Sequence, residues 1–292
     1  MILLTGATGL IGSTLLRRLT ARPEPVRVLV RDPRKLGDQR VRVQIALGDL
    51  ADPPSFRHAM RGVRTVVHCA AAIRDQPVGS IEELNGVATW RMVQAAERAG
   101  VQRFVFFSAL EASRFSRARF FRAKALAEEA VREAGVPSTI LAPSIVYSPG
   151  DPFLTLLDRL SLLLPVMPVS GSGRALYQPI WADDVADAVV SLLDGADGRD
   201  RYELAGPDTL SYEDIVRVAL RAFGRRRAIV HVPLPIVRRA LRVAGLVAGQ
   251  SVFATWDEVE LMEVPMTSPS GTAGAERLGV RPQPIRAVLG AG

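Results

Sequence analysis

Residues 2–19 read ILLTGATGLIGSTLLRRL. The opening apolar run suits a buried strand, and after the glycines the leucines recur at helical period. Gly6, Gly9 and Gly12 lie between them at even spacing. Strand, glycine turn and amphipathic helix, in that order, form the context in which a dinucleotide pyrophosphate is held. One glycine permits the tight turn, one lets the phosphates approach the backbone, and one lets the helix pack closely on the strand. The helix start adds free N–H groups and partial positive charge. The alternative reading is an ordinary turn without a ligand.

Working outward, short apolar runs alternate with helical stretches. Residues 2–6, 26–30, 41–46, 65–71, 103–109 and 138–144 read as strands, and 10–21, 53–61, 82–99 and 117–134 as helices. Near-continuous apolarity suits parallel strands covered on both faces. The pattern predicts an α/β fold, a doubly wound parallel Rossmann-type sheet, with an NAD(P)-binding domain over 1–145. Beyond 145 the segments are less regular. They predict a smaller C-terminal α+β lobe over 146–292, packed across the C-terminal edge of the strands. The tail from Thr267 is rich in Gly, Pro and Ser and predicts loose order.

Composition narrows the function classes. The 292 residues are 48% hydrophobic and 23% charged, which suits a globular protein rather than a disordered one. A single cysteine, Cys69, supports no disulfide framework and fits a reducing compartment. The first strand begins at Met1 or Ile2, so no secretory leader is expected. No uncharged apolar run reaches membrane-spanning length. The expected location is cytoplasmic, with peripheral contact at the inner face of the membrane.

The formal charge is +7, yet only Lys35 and Lys124 are lysines. Arginines are spread along the chain without a binding motif or aromatic platform, so nucleic acid is not an expected partner. A phosphorylated cofactor or acidic lipid suits the charge. No two histidines have metal-ligand spacing, and no metal is expected. His58 falls on a surface-type helix, His68 in a buried strand with a structural role, and His231 has no evident partner. Asp183 and Asp184 read as helix-end electrostatics.

Two positions bear on the cofactor. Arg31 follows the second strand, where an adenosine ribose would lie, and a guanidinium there would pair with a 2′-phosphate. A solvated surface arginine is the alternative. Asp32 next to it starts the turn RDPRK. Asp49 ends the third strand and could accept from an adenine amino group, with Leu50 beside the ring, or could cap the following helix. NADP(H) is favoured over NAD(H).

The segments TGATGLIG, GDL, VVHCAA and the Asn85 region resemble the short-chain dehydrogenase/reductase superfamily, in its extended and atypical branches. APSIVYSPGD, QPIWADDVADAVV and YELAGPDTLSYEDIV continue the resemblance through the second half. The later segments look most like the branch holding the nucleotide-binding accessory subunit of respiratory complex I and its free-standing bacterial relatives. The resemblance implies a cofactor site of Gly6, Thr8, Gly9, Leu10, Ile11, Gly12, Arg31, Asp49, Leu50, Ala70, Ala71, Ser108, Lys124, Pro143 and Ile145.

The family's working pair is Tyr-x-x-x-Lys, in which the tyrosine exchanges a proton with the substrate. Here FFRAKALAEEAV matches that helix, and Phe120 stands in the tyrosine's place. A phenyl ring moves no proton. The assisting serine falls on Ala109, with Ser108 one residue earlier. Lys124 remains. The resemblance implies that it holds the nicotinamide ribose; desolvation could also tune it as the general acid or base. The bland alternative is a helix-surface lysine.

The stretch 233–249 is amphipathic, with Arg238, Arg239 and Arg242 clustered and Ile236, Leu241, Val243 and Val247 spread over the rest. It suits an anionic membrane surface, a cover over a greasy ligand, or plain lobe packing. The expected function is an NADP(H)-dependent reductase of an apolar carbonyl or quinone-like substrate that works without the tyrosine. The alternative is a non-catalytic, cofactor-bound module that senses redox state or supports a complex. A sugar-nucleotide epimerase or dehydratase is weaker, because the tyrosine is missing.

Overall fold

The computed structural model describes residues 1–196, 201–248 and 255–290. The strands are β1 (Ile2–Thr5), β2 (Val26–Val30), β3 (Gln44–Leu47), β4 (Thr65–His68), β5 (Arg103–Phe107), β6 (Ser138–Pro143), β7 (Val146–Tyr147), β8 (Val166–Ser170), β9 (Leu176–Tyr177), β10 (Ile180–Trp181), β11 (Arg201–Leu204), β12 (Leu210–Ser211) and β13 (Ala228–Val232). The helices are α1 (Leu10–Leu19), α2 (Pro53–Ala59), α3 (Ala88–Arg98), α4 (Arg119–Glu133), α5 (Pro152–Leu163), α6 (Ala182–Leu193), α7 (Tyr212–Ala222), α8 (Leu234–Ala248), α9 (Trp256–Leu261), α10 (Ala273–Glu276) and α11 (Ile285–Leu289).

Seven parallel strands form the main sheet in the order β11-β6-β5-β4-β1-β2-β3. This is the expected Rossmann-type α/β fold. The sheet has a core on each face, and the pleat of β1 shows why. Ile2 and Leu4 join the core under α1 and α6; Leu3 joins the core under α2, α3 and α4. All three are fully buried, and each contributes roughly 1.5–3 kcal/mol of burial. The order reverses between β1 and β4, which opens a crevice at the strands' C-terminal ends.

Two elements from beyond residue 145 complete this layer. Helix α6 packs along α1, with Arg18 bridging to Asp183 and Asp187 at 2.8 Å each. Strand β11 pairs in parallel with β6. The rest of the second half builds smaller cores, one of them uniting Leu154 and Leu157 of α5, Met167 and Val169 of β8, and Val216, Ala219 and Leu220 of α7.

Three local expectations change. Strand β4 ends at His68, because Asn85 takes both backbone groups of Ala72 and draws residues 69–72 out of the sheet. Strand β3 starts later, at Gln44, because a 3₁₀ segment occupies Pro33–Arg42. The tail is packed, not loose. Ser268 is held by Gln178 and Glu203, Gly274 lies against the Glu203 carbonyl where a side chain could not fit, and Ala275 and Leu278 enter the main core. Its small residues permit close approach. The amphipathic stretch is helical over Leu234–Ala248, and Gly249 lies outside the described residues.

Candidate functional site

The crevice is first shaped by backbone. Gly6 has φ +71, and a Cβ there would stand 2.6 Å from the Ala70 nitrogen. A Cβ on Gly12 would collide with the Gly6 carbonyl. These two glycines therefore bind β1, α1 and the end of β4 together. Gly9 differs: its Cβ would meet only the Gly6 oxygen, at 3.3 Å, and otherwise face open space. Gly9 is the N-cap of α1, no side chain caps it, and the first turn holds no acidic residue. The free N–H groups and positive end of α1 thus face an uncovered space of the kind a pyrophosphate fills. Thr8 and Gly9 are exposed there, and Leu10 and Ile11 are half-buried.

At the end where the sequence reading expects the adenosine, Arg31 and Asp49 follow β2 and β3. Their charged groups stand 3.8 Å apart, with Arg31 60% exposed, so the guanidinium is free to take a further anion. Asp49 also accepts from the Ala51 nitrogen at 3.0 Å, which fixes the turn before α2. Asp32 accepts from the Arg34 nitrogen and opens the next turn, as RDPRK suggests.

A buried polar chain runs from this floor toward the other end. His68 meets the Thr5 hydroxyl at Nδ1 (2.7 Å) and the Thr89 hydroxyl at Nε2 (3.1 Å). Thr89 donates its one proton to the Asn85 carbonyl at 2.6 Å. The Nε2–H must therefore donate to Thr89, and Nδ1 accepts from Thr5. Burial pushes His68 down to about 3, so it stays neutral. Asn85 then donates to the Ala72 carbonyl at 2.7 Å and accepts from its nitrogen. It sits in a π-helical turn, Glu83–Val87, just before α3. Such turns widen a helix locally and suit functional positions. The Thr5 hydroxyl also accepts from the Ala70 nitrogen at 3.4 Å, so the chain fixes the backbone on both sides of Ala71.

At the end of the crevice where the sequence reading expects the nicotinamide, Lys124 of α4 is only 2% exposed, which removes the surface-lysine reading. Its Nζ donates to the Phe107 carbonyl at 2.7 Å and lies 4.9 Å from the Phe106 ring and 5.6 Å from that of Phe120. Burial lowers it to about 8. One acceptor leaves two of its three donors unused among the described residues. The Ser108 hydroxyl is also buried without a partner. Unused donors and an orphaned hydroxyl fit a bound group rich in hydroxyls, such as a ribose. Pro143 and Ile145 follow from the end of β6, buried and half-buried.

Phe120 precedes Lys124 by one helical turn. It packs on the buried cluster of Ala109, Ala118 and Phe121, against which Leu261 at the end of α9 and Val264 and Met266 beyond it also pack. Helix α9 packs on α4 here and is held to the first half of the chain by a charged latch. Arg74 pairs with Glu258 at 2.8 Å, and Arg119 reaches Asp257 at 3.5 Å while gripping Asp75 and Glu82 below. Arg238 of α8 stacks on Trp256 at 5.2 Å. Sequence reading missed this latch, since its charges come from four separate segments and leave no local pattern. It also missed the partner of His231, which is Glu213 at 3.0 Å. Asp184 accepts from the Gln283 nitrogen, so it anchors the tail as well as the helix start. His58 is exposed on α2. No group of His, Cys, Asp and Glu among the described residues could hold a metal ion.

Residues 6–196 match a family model described as NAD(P)H-binding. The chain is 30% identical over 243 residues to the mitochondrial NADH dehydrogenase [ubiquinone] 1 alpha subcomplex subunit 9 of Arabidopsis thaliana, covering 80% of this chain but 60% of that protein. It is 27% identical over 281 residues to a ceramide reductase of Caulobacter vibrioides, covering 94% of this chain and 88% of that one. It is 29% identical to a (4-alkanoyl-5-oxo-2,5-dihydrofuran-3-yl)methyl phosphate reductase of Streptomyces griseus, with coverage of 82% and 80%. A double mutant of dTDP-glucose 4,6-dehydratase from Streptomyces venezuelae, solved with NAD bound, shares the fold at a TM-score of 0.76 and 21% identity, covering 100% of this chain and 95% of that one.

Proposed function

The chain belongs to the NAD(P)H-binding family, and from that premise we propose that it is an NADP(H)-dependent reductase of an apolar carbonyl or quinone-like substrate. The observation that carries this reading is Phe120 in the proton donor's place, one turn from a buried Lys124 and sharing an apolar cluster with Leu261, Val264 and Met266. Apolar walls recognise apolar substrates and exclude water. Reduced nicotinamide, when bound, supplies a hydride. This chain's residues supply the rest. The α1 start and Gly9 receive the pyrophosphate, Arg31 the 2′-phosphate, and Lys124 and Ser108 the nicotinamide ribose. Lys124, lowered to about 8 by burial, is poised to deliver a proton from Nζ near neutral pH. A quinone-like acceptor would instead draw its proton from water. Helix α8 is tied to α9 through Arg238 and Trp256.

The two reductases among the relatives support this reading. One observation favours a second: Nζ is already engaged by the Phe107 carbonyl, as suits a lysine that only holds cofactor. The protein would then be a cofactor-bound support for another assembly. Epimerase or dehydratase chemistry is disfavoured by the missing tyrosine. NADPH oxidation against a panel of apolar ketones and short-chain quinones separates these readings. The reductase reading expects turnover, lost by about a hundredfold or more in Lys124→Met if the lysine donates the proton. If water supplies it, Lys124→Met mainly weakens cofactor binding. Phe120→Tyr, which restores a donor on the same helix face, should extend activity to secondary alcohols. Tight NADPH binding with no turnover of any acceptor would leave the supporting module as the function.

A further inference from the structure

Five arginines, Arg217, Arg221, Arg225, Arg226 and Arg227, line an open hollow of about 750 Å³. None of them belongs to the nucleotide cleft. Arg217 and Arg221 lie one turn apart on α7, and Arg225, Arg226 and Arg227 follow directly where the chain leaves the helix at Gly224. Their neighbours do not neutralise them equally. Arg217 pairs with Glu213, and Arg225 with Asp158. Arg227 donates to the carbonyls of Ser161 (3.1 Å) and Leu164 (3.2 Å), which hold the group without cancelling its charge. Arg221 and Arg226 are exposed, and no carboxylate pairs with either among the described residues.

The hollow borders an unusual stretch of surface. Leu162, Leu163, Leu164, Pro165 and Val166 are exposed in succession, Leu163 by 79% and Leu162 by 61%. Arg227 joins the two features directly, because it grips Leu164 and precedes Ala228, the partner of Val166 in the β13–β8 ladder. Val230, on the same strand, is 45% exposed. Consecutive exposed apolar residues beside unpaired cations mark a surface that is covered in use.

We propose that the arginine hollow and the Leu162–Val166 corner form a docking surface for an anionic phospholipid bilayer. A soluble phosphate would satisfy the guanidinium groups and leave the leucines in water. An anionic bilayer meets both needs within one side chain's depth: lipid phosphates at the level of Arg221, Arg226 and Arg227, and acyl carbons below for the leucines. The net charge of +7 favours the approach. The proposal stands apart from the nucleotide site and survives whichever reading of that site holds.

The test is co-sedimentation of the full chain with phosphatidylcholine vesicles, with and without phosphatidylglycerol. Binding is expected only with phosphatidylglycerol. The double variant Arg221→Glu/Arg226→Glu should reduce partitioning by about thirtyfold or more. Leu162→Ser/Leu163→Ser should reduce it even at low salt, with Leu163→Ser alone as the substitute if the pair melts early. The same charge change at Arg40 and Arg42, in the 3₁₀ segment that leads into the edge strand β3, should cost far less. Equal loss in that control, or unchanged binding in both patch variants, overturns the proposal. So does full release by inorganic phosphate at constant ionic strength, which would make this a soluble-anion site. A dimer by light scattering that the patch variants dissociate would also overturn it, because a second copy would then be the occupant.

Discussion

The two ends of the nucleotide crevice are built by different means. At the proposed phosphate end the chain presents shape: Gly6 and Gly12 are places where a side chain has no room, and Gly9 is a place where it has room but would fill the space proposed for the phosphates. At the nicotinamide end the chain presents buried polarity, with Lys124 and Ser108 short of partners among phenyl rings. A site defined by shape tolerates changes in charge and fails on added volume. A site defined by underused donors responds to changes in charge and proton affinity.

The largest expected effect breaks the phosphate end. Gly12→Ala should destabilise the fold by about 3 kcal/mol or more, since backbone atoms must move. Gly9→Val should melt close to the parent and yet lose more than about tenfold in NADP(H) affinity by isothermal titration. Equal melting of both variants would erase the distinction between the two glycines. The next effect sharpens the adenosine side of the same end. Arg31→Ala should weaken NADPH by about tenfold or more and NADH little, as loss of a charge-assisted phosphate contact requires. Equal losses would show that Arg31 does not read the phosphate. A third effect concerns the polar chain between the ends. Folded His68 is held at about 3, while the unfolded residue titrates near ~6.5. The unfolded chain therefore binds the proton first, and stability falls by about 1.4 kcal/mol per unit as pH drops below ~6.5 toward 3. His68→Asn should flatten urea-derived stability between about pH 6.5 and 4.5, before most carboxylates titrate. A slope unchanged in that variant would assign the effect elsewhere.

The strand, glycine turn and helix of the proposed phosphate end were legible in the sequence, because their determinants are local. Three glycines between a strand and a helix state the geometry within a single run of residues. Strands β1, β2, β4, β5 and β6 were legible for the same reason: an apolar run bounded by polar turns carries its own signature. The nicotinamide end was legible only in part. Phe120 and Lys124 share a helix, and their spacing could be read. Their surroundings could not, since Leu261, Val264 and Met266 arrive from far along the chain and the latch of Arg74 and Arg119 joins distant acids. The tail was misread because glycine and serine signal looseness by composition, whereas Gly274 and Ser268 serve close packing. The π-turn at Asn85 was hidden inside a helical period that it barely disturbs.

The place of β11 beside β6 has a kinetic consequence. The sheet's interior strands come from the first half of the chain, but its last parallel neighbour arrives only after β7 to α6 have been laid down. Such a pairing closes a long loop before it gains any contact, so it forms late. Until then β6 is an open edge carrying Ile140 and Leu141, a template on which another chain could add a strand. The tail that folds Gly274 against Glu203 and Leu278 into the core locks β11 once it docks. Its absence would be felt less in the finished crevice than in the yield of chains that reach it unaggregated.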